Sequence, residues 1–315
     1  MKKLITIWLF AAAAFQANAQ DVRPVKGDNG KYGFVDRSRK EVTPFIYDEV
    51  GYDFQEGIIK VKLNNKYGFI DQTGKEVIPI KYEDSRSLEE GLIGVQLNGK
   101  FGFIDRNGKE IIPFKYDNTT YFKEGFAPVE LNGKGGYINK SGKEITPLKY
   151  DVTFDFAEGF ARVRLNDQYG FIDNTGKEIT SLKYENGNSF KDGFASVKLK
   201  GKWGFIDRTG KEISKFKYDY AKDFSNGVAP VEINNKYGAI DKNGKEIIPF
   251  KYRFISDFND GLAKAGRDGM EGFINTSGEE VIPIKYDAVG EFKDGKALFR
   301  LNGRWGSMDK TGKEL

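Results

Sequence analysis

The chain has 315 residues, with 50 Lys or Arg, 46 Asp or Glu, and neither cysteine nor histidine. Disulfides, thiolate nucleophiles and the Ser-His-Asp arrangement are therefore excluded, and so is histidine, the commonest general base. Lys2 and Lys3 belong to a leader described next, so its removal lowers the formal charge from +4 to +2. Such a balance gives no electrostatic footprint for nucleic acid, and we expect no nucleic-acid partner.

Residues 1–19 have the composition of a secretory signal peptide. Lys2 and Lys3 precede an apolar run from Leu4 to Phe15, and Ala17-Asn18-Ala19 forms a small-residue cleavage site before Gln20. The apolar run is too short for a membrane span, and no later run approaches the required length. We therefore expect an exported mature chain of residues 20–315, periplasmic or extracellular, with no transmembrane segment.

The rest of the chain repeats with a period of 34 residues, after a first step of 35. A residue placed before a strand glycine marks each repeat, and it is aromatic in seven of nine copies. The repeat-defining pairs are Tyr32-Gly33, Tyr67-Gly68, Phe101-Gly102, Tyr169-Gly170, Trp203-Gly204, Tyr237-Gly238 and Trp305-Gly306, with Gly135 and Glu271 at the two departures. A fixed period of this size is typical of a repeat array.

One repeat predicts three antiparallel strands. Residues 195–199 alternate apolar and polar side chains as strand A, and the turn at Lys200-Gly201 leads into strand B at 203–207. A second turn leads into strand C at 212–218, where a recurring proline predicts an edge strand. The link that follows, 219–227, is predicted as a loop or one helical turn.

The repeat is too small to bury a core alone, so neighbouring repeats must stack. We expect aromatics of the Tyr116 and Phe224 type to fill the seams between repeats. The fold class is therefore all-β, a tandem array of about nine three-stranded antiparallel meanders. An open superhelical array is favoured over propeller-like closure, because each complete meander needs no strand from a distant repeat.

The motif Lys202-Trp203-Gly204-Phe205-Ile206-Asp207, with a later Gly-Lys-Glu and Tyr-Asp, resembles the WG (KWG) repeat family. The resemblance covers nearly all of the mature chain, and Tyr or Phe replaces Trp in several copies. It implies a bacterial repeat module presumed to act in interaction, and it implies no catalytic residues. The departures at Gly135 and Glu271 predict looser seams there.

The periodic carboxylates are interpreted as turn caps. They are Asp36, Asp71, Asp105, Asp173, Asp207, Asp241 and Asp309, each ending a strand B. A calcium loop needs about six to eight converging oxygens, whereas each of these turns carries a lysine beside its glycine. An active site is usually singular, whereas these acids recur in nearly every repeat. We therefore expect no metal site, no cofactor and no enzyme activity.

Aromatic residues in the links are the candidates for a binding surface, because loops carry function more often than scaffold strands do. These residues are Tyr52, Tyr121, Phe154, Tyr220 and Phe254. The outward cations of strand A are instead interpreted as a solvated sheet face; they are Lys60, Lys62, Arg162, Arg164, Lys198 and Lys200.

Together these features favour an exported, non-enzymatic scaffold that mediates protein–protein interaction in the cell envelope, with an unidentified protein partner. The alternative is a carbohydrate- or cell-wall-binding module that uses the link aromatics.

Overall fold

A computed structural model describes residues 22–315, so the predicted signal peptide lies outside the described residues. The chain divides into two compact units, one ending at Phe114 and the other spanning Lys115–Leu315. The described residues form 31 strands in nine antiparallel sheets and no helix. The predicted all-β array of antiparallel repeats is confirmed. No helix within residues 22–315 is long and apolar enough to cross a membrane.

Each of the nine sheets contains a strand A and a strand B, together with a strand C, a link strand or both. The A strands are Arg23–Lys26, Ile58–Leu63, Leu92–Leu97, Phe126–Leu131, Phe160–Leu165, Phe194–Leu199, Val228–Ile233, Leu262–Arg267 and Lys296–Leu301. The B strands are Tyr32–Val35, Lys66–Asp71, Lys100–Asp105, Lys134–Asn139, Gln168–Asp173, Lys202–Asp207, Lys236–Asp241, Met270–Asn275 and Arg304–Asp309. The C strands are Glu41–Tyr47, Glu76–Tyr82, Glu110–Tyr116, Glu246–Tyr252 and Glu280–Tyr286. The link strands are Glu49–Val50, Asp84–Glu89, Asn118–Thr119, Val152–Thr153, Asn186–Gly187, Tyr220–Ala221, Phe254–Ile255 and Ala288–Val289.

The link was predicted to be a loop or a helical turn, and this prediction is wrong. Its first part is a short strand that pairs with the following strand A, as Glu49 does with Lys62. Its second part is a tight turn in which Glu56 and Gly57 both have positive φ, at 48° and 86°. Two such residues in succession form the turn that matches the twist of a hairpin. The complete repeat therefore has four strands in the order link strand, A, B, C.

Strand C differs between repeats, which corrects the prediction for residues 212–218. In the fourth to sixth repeats it is reduced to isolated bridges, such as Trp203 with Tyr218. The hydroxyl of Thr180 accepts a hydrogen bond from the backbone N–H of Phe171 at 3.0 Å, and Ser214 does the same for Phe205 at 3.0 Å. Thr43 accepts the same bond from the Phe34 N–H at 3.0 Å in the first repeat, where strand C is complete, so the hydroxyl alone does not shorten the strand.

The strand-B glycine makes room for a bulge in strand C. Between the pairs Tyr67–Tyr82 and Phe69–Ile78, one residue of strand B faces three of strand C. A Cβ on Gly68, the residue between those two on strand B, would lie 2.7 Å from the carbonyl oxygen of Ile78. The close approach at this glycine therefore comes from the chain's own next strand. The proline within the bulge is exposed at the sheet edge, as predicted from its missing N–H.

Aromatic side chains fill the seams between repeats, as predicted. Phe224 is 1% exposed, and its ring centroid lies 4.5 Å from that of Phe194 and 5.1 Å from that of Phe205. The same cluster contains Ala229 and Val231 from the next strand A. This seam thus packs aromatic side chains of one sheet against small aliphatic side chains of the next, and burial of these apolar groups holds the two repeats together.

Candidate binding surface

Lys60 and Arg162 are engaged by the links, so the interpretation of the strand-A cations as a solvated face is wrong for them, whereas Lys200 is exposed as expected. Lys60 Nζ donates a hydrogen bond to the backbone oxygen of Ser85, in the next link, at 3.2 Å. Burial lowers the pKa of Lys60 below its ordinary value. Arg162 stacks with its Cζ 3.8 Å from the ring centroid of Phe154. Strand alternation gave the correct shared face, but that face contacts the neighbouring repeat.

The carboxylates that end strand B cap the turns that follow, as the sequence indicates. Asp71 Oδ1 accepts from the Thr73 backbone at 2.8 Å, from the Thr73 hydroxyl at 2.6 Å and from the Lys75 backbone at 3.1 Å. Asn139 makes the equivalent bonds to Ser141 and Lys143. Because a neutral amide oxygen serves equally well, the turn needs an acceptor at this position and not a charge.

A second set of charges joins one repeat to the next, and we did not anticipate it from the sequence. The lysine before the strand-C tyrosine pairs with the first glutamate of the next strand C, always 29 residues later. The pairs in the second unit are Lys115–Glu144, Lys149–Glu178, Lys183–Glu212, Lys217–Glu246 and Lys251–Glu280. The constant separation of Lys-Tyr and Gly-Lys-Glu motifs was the available signal.

The acid after the strand-C tyrosine makes a further bridge. Asp151 accepts from Lys134 Nζ at 2.6 Å, within its own repeat, and from the backbone N–H of Asn166 at 2.7 Å, in the next A–B turn. The Lys134 hydrogen bond and the Asn166 N–H lower the pKa of Asp151 below its ordinary value. The repeating charges are thus occupied by contacts that fix one repeat on another.

Of the predicted link aromatics, two are exposed and three are engaged by neighbours. Tyr52 is 97% exposed and Tyr220 is 45% exposed. The half-buried Tyr121 donates its hydroxyl proton to Asp155 at 3.0 Å. Phe154 lies beneath Arg162, and Phe254 covers Gly266, where a Cβ would lie only 2.3 Å from its ring. The structure therefore separates these residues instead of bringing them into one site.

The Tyr52 groove is a cavity of about 770 Å³ in the first unit, lined by Tyr32, Glu49, Tyr52, Lys60 and Arg86 among others. Tyr52 lies in the one link that is a residue longer than the rest. The extra residue places an exposed ring at the groove, beside an acid and two cations. A groove with an aromatic surface and several polar groups has the composition of a ligand site.

The Tyr220 cluster lies in the second unit. The Trp203 and Tyr220 rings meet edge to face at 6.4 Å between centroids. Tyr220 pairs in register with Glu232, which in turn pairs with Tyr237. Burial and a hydrogen bond with Glu232 raise the pKa of Tyr237 to about 12. This cluster joins an exposed ring to a buried one and to a carboxylate.

The two departures from the aromatic marker differ from each other. Glu271 Oε2 accepts from the Val289 backbone N–H at 3.0 Å, so the carboxylate joins two repeats where a ring is missing. Gly135 has no side chain to do so, and a cavity of about 290 Å³ lies above it. Glu271 therefore bridges its seam in place of the ring, whereas Gly135 leaves that space empty.

The fold and these contacts define a tandem β-repeat protein in which neighbouring sheets stack within each unit. The sequence matches the WG containing repeat eight times in tandem, over residues 32–67, 67–101, 101–134, 136–169, 169–203, 203–237, 237–269 and 272–305. The chain belongs to the WG-containing repeat family, which confirms the resemblance. No curated protein matches the chain.

Several solved structures are similar in fold only. A eukaryotic initiation factor is 9% identical with a TM-score of 0.44, over 94% of this chain and 95% of that one. Hsv2p of Kluyveromyces lactis is 10% identical with a TM-score of 0.34, over 72% of this chain and 92% of its own. PorZ of Porphyromonas gingivalis is 9% identical with a TM-score of 0.29, over 91% of this chain and 51% of its own. None of these likenesses carries a functional argument.

Proposed function

We propose that this chain is an exported, non-enzymatic scaffold in the cell envelope that binds a protein partner through its links. The proposal is supported by a difference in exposure between the repeating side chains and two aromatic side chains of the links. Most repeating rings and charges contact neighbouring repeats, with the exposed Trp305 of the last repeat as an exception, whereas Tyr52, in the longer link, and Tyr220 are exposed link rings. Exposed aromatic side chains are favoured anchors at protein interfaces.

The test is retention of envelope material on the immobilised protein, with and without protease treatment of that material. A protein scaffold retains a polypeptide that protease removes. Tyr52→Ala and Tyr220→Ala are expected to weaken retention, while Ser189→Ala, at an exposed link position without a ring, leaves it unchanged. Equal retention by all three variants would remove the link rings from the proposal.

A carbohydrate or cell-wall ligand is the second candidate, favoured by the Tyr52 groove. The exposed ring of Tyr52 offers a face on which a sugar can stack, and Glu49, Asp53 and Lys60 offer polar groups beside it. Retention that survives protease and disappears in Tyr52→Ala would select this candidate over the protein scaffold.

A further inference from the structure

The fourth repeat lacks the two rings that flank the strand-A glutamate of the seventh repeat, because Asn118 and Gly135 stand where the seventh has Tyr220 and Tyr237. Glu130 pairs in register with Gly135, and Glu232 pairs in register with Tyr237. In the seventh repeat the Glu232 carboxylate lies beside the tyrosine, on the neighbouring strand in register with it. The fourth repeat therefore keeps the acceptor but has no ring to use it.

The space of the missing ring is a cavity open to solvent. Its volume is about 290 Å³, and its walls come from strand A, strand B and the two adjacent links of the second unit. The lining residues that bear on its chemistry are Thr119, Thr120, Glu130, Gly135 and Thr153. A Cβ on Gly135 would lie 3.0 Å from the Thr153 methyl, so that methyl covers the place where a ring would begin.

We propose that this cavity accepts the side chain of a tyrosine from a partner protein, an inference that rests on the proposed scaffold function. The ring enters from solvent, packs against the Thr153 methyl and replaces the ring that the chain itself lacks. Its hydroxyl donates to Glu130, the counterpart of the Glu232 that stands beside Tyr237. The internal pair in the seventh repeat is the reason for choosing a phenol over a plain aromatic ring.

The chemistry of the walls agrees with this choice. A half-buried carboxylate is a strong acceptor for a phenol O–H, because one partner of the bond is ionised. Threonines place methyl groups against a ring face and hydroxyl groups at its rim. Tyrosine is also among the residues most enriched at interface hot spots, where a pocket encloses the ring.

The first experiment titrates the intact chain with N-acetyl-tyrosinamide and follows the methyl resonances of Thr119, Thr120 and Thr153 by NMR. We expect these three resonances to shift together. N-acetyl-phenylalaninamide should bind about tenfold more weakly, because it lacks the hydroxyl that donates to Glu130. Unmoved resonances would overturn the proposal, and so would shifts caused by methyl glucoside and not by tyrosinamide.

Two variants locate the site. Gly135→Tyr supplies the missing ring from within the chain and should abolish the tyrosinamide shifts. Glu130→Gln keeps the shape of the side chain and should remove the preference for tyrosinamide over phenylalaninamide, which a structural role alone would not do. Glu232→Gln, the matched change in the filled repeat, should leave both affinities unchanged. Identical titrations in all three variants would overturn the site.

The retention assay separates this inference from the function on which it rests. Loss of protease-sensitive retention in Gly135→Tyr supports both the tyrosine site and the scaffold function. Unchanged protease-sensitive retention in Gly135→Tyr overturns the tyrosine site, while the scaffold function stands. If the wild-type chain retains nothing that protease removes, the scaffold function fails, and with it the protein source of the tyrosine.

Discussion

Lys149 of one repeat and Glu178 of the next meet with 2.7 Å between Nζ and Oε1, although 29 residues separate them. The hydroxyl of Tyr150 donates to the same oxygen at 3.1 Å. The Glu178 carboxylate thus contacts both Lys149 and Tyr150, the last two residues of the preceding strand-C segment. Because equivalent lysine–glutamate pairs follow in succession along the second unit, they help to fix the relation of each sheet to the next.

Removing the Glu178 carboxylate should lower the free energy of unfolding. The lost ion pair with Lys149 should contribute little, and the lost hydrogen bond from Tyr150 should contribute more. Exposed pairs are worth about 0–1 kcal/mol, whereas a lost hydrogen bond to a charged group costs about 1.5–3 kcal/mol. We expect Glu178→Ala to lower the free energy of unfolding by about 1–2 kcal/mol. When Glu178→Ala is made in the Tyr150→Phe background, the loss of stability should be smaller, because only the exposed contact with Lys149 is then removed. A double-mutant cycle in urea measures the difference, and strict additivity would contradict the shared contact.

Two adjacent glycines of one strand should respond differently to alanine. A Cβ on Gly136 would lie 2.9 Å from the Pro147 carbonyl oxygen and 2.7 Å from Leu148 Cδ2, so Gly136→Ala forces strand C to move. We expect a loss of about 1–3 kcal/mol, as for other overpacked sites. In Gly135→Ala the close contacts, at 3.0 and 3.3 Å, are with the Thr153 side chain, and the nearest backbone atom, the Tyr150 oxygen, is at 3.6 Å, so the loss should be smaller. Chemical denaturation of both variants is the measurement, and equal losses would refute the close approach of residues 146–148 as the reason for the glycine at position 136.

Local patterns in the sequence predicted the A–B hairpin and the repeat period. Apolar–polar alternation and turn residues fix the strand register without contributions from distant residues. They did not determine the environment of the outer face of strand A. Alternation shows that Lys60 and Lys62 share a face, but only the stacked repeat shows that this face meets the next link. The link strands were missed for a similar reason, since two residues such as Tyr220–Ala221 give no period.

The candidate binding surface was predictable only in part. The five link aromatics look alike in the sequence, and their different exposures depend on contacts such as Arg162 with Phe154 that no local pattern contains. The Gly135 cavity could have been found, because a glycine at an aromatic position implies missing volume. Its relation to Glu130 required the strand register.

The hydroxyl of Thr180 should make a substantial contribution to the free energy of unfolding. It is the acceptor for the buried N–H of Phe171, so Thr180→Val leaves that donor without its partner. An unsatisfied buried donor costs about 1–3 kcal/mol, whereas Thr180→Ser keeps the oxygen and should cost much less. Amide hydrogen exchange provides a direct reading, because the Phe171 amide should exchange faster in the valine variant alone. Unchanged protection in Thr180→Val would show that the strand-C backbone can take over the bond.

Stability should fall in acid through the carboxylates of the links. Hydrogen bonds from Lys134 to Asp151 and from Lys202 to Asp219 lower the pKa of each aspartate below its ordinary 3.8, and backbone N–H groups add to this effect. A carboxyl whose pKa is lower in the folded than in the unfolded chain stabilises the fold above its ordinary pKa. That contribution is lost as the pH falls through the folded value. With no histidine in the chain, we expect no imidazole-linked change near neutrality.

Asp151→Asn provides the control for this pH dependence. The amide oxygen can still accept from the Asn166 backbone, but it carries no charge for Lys134. The variant should therefore be less stable than the wild type at pH 7, and the two should converge as the pH is lowered below the ordinary value of 3.8. Urea unfolding midpoints between neutral and acid pH measure both curves. A difference that stays constant across the whole range would mean that the substitution acts through packing and not through the charge of Asp151.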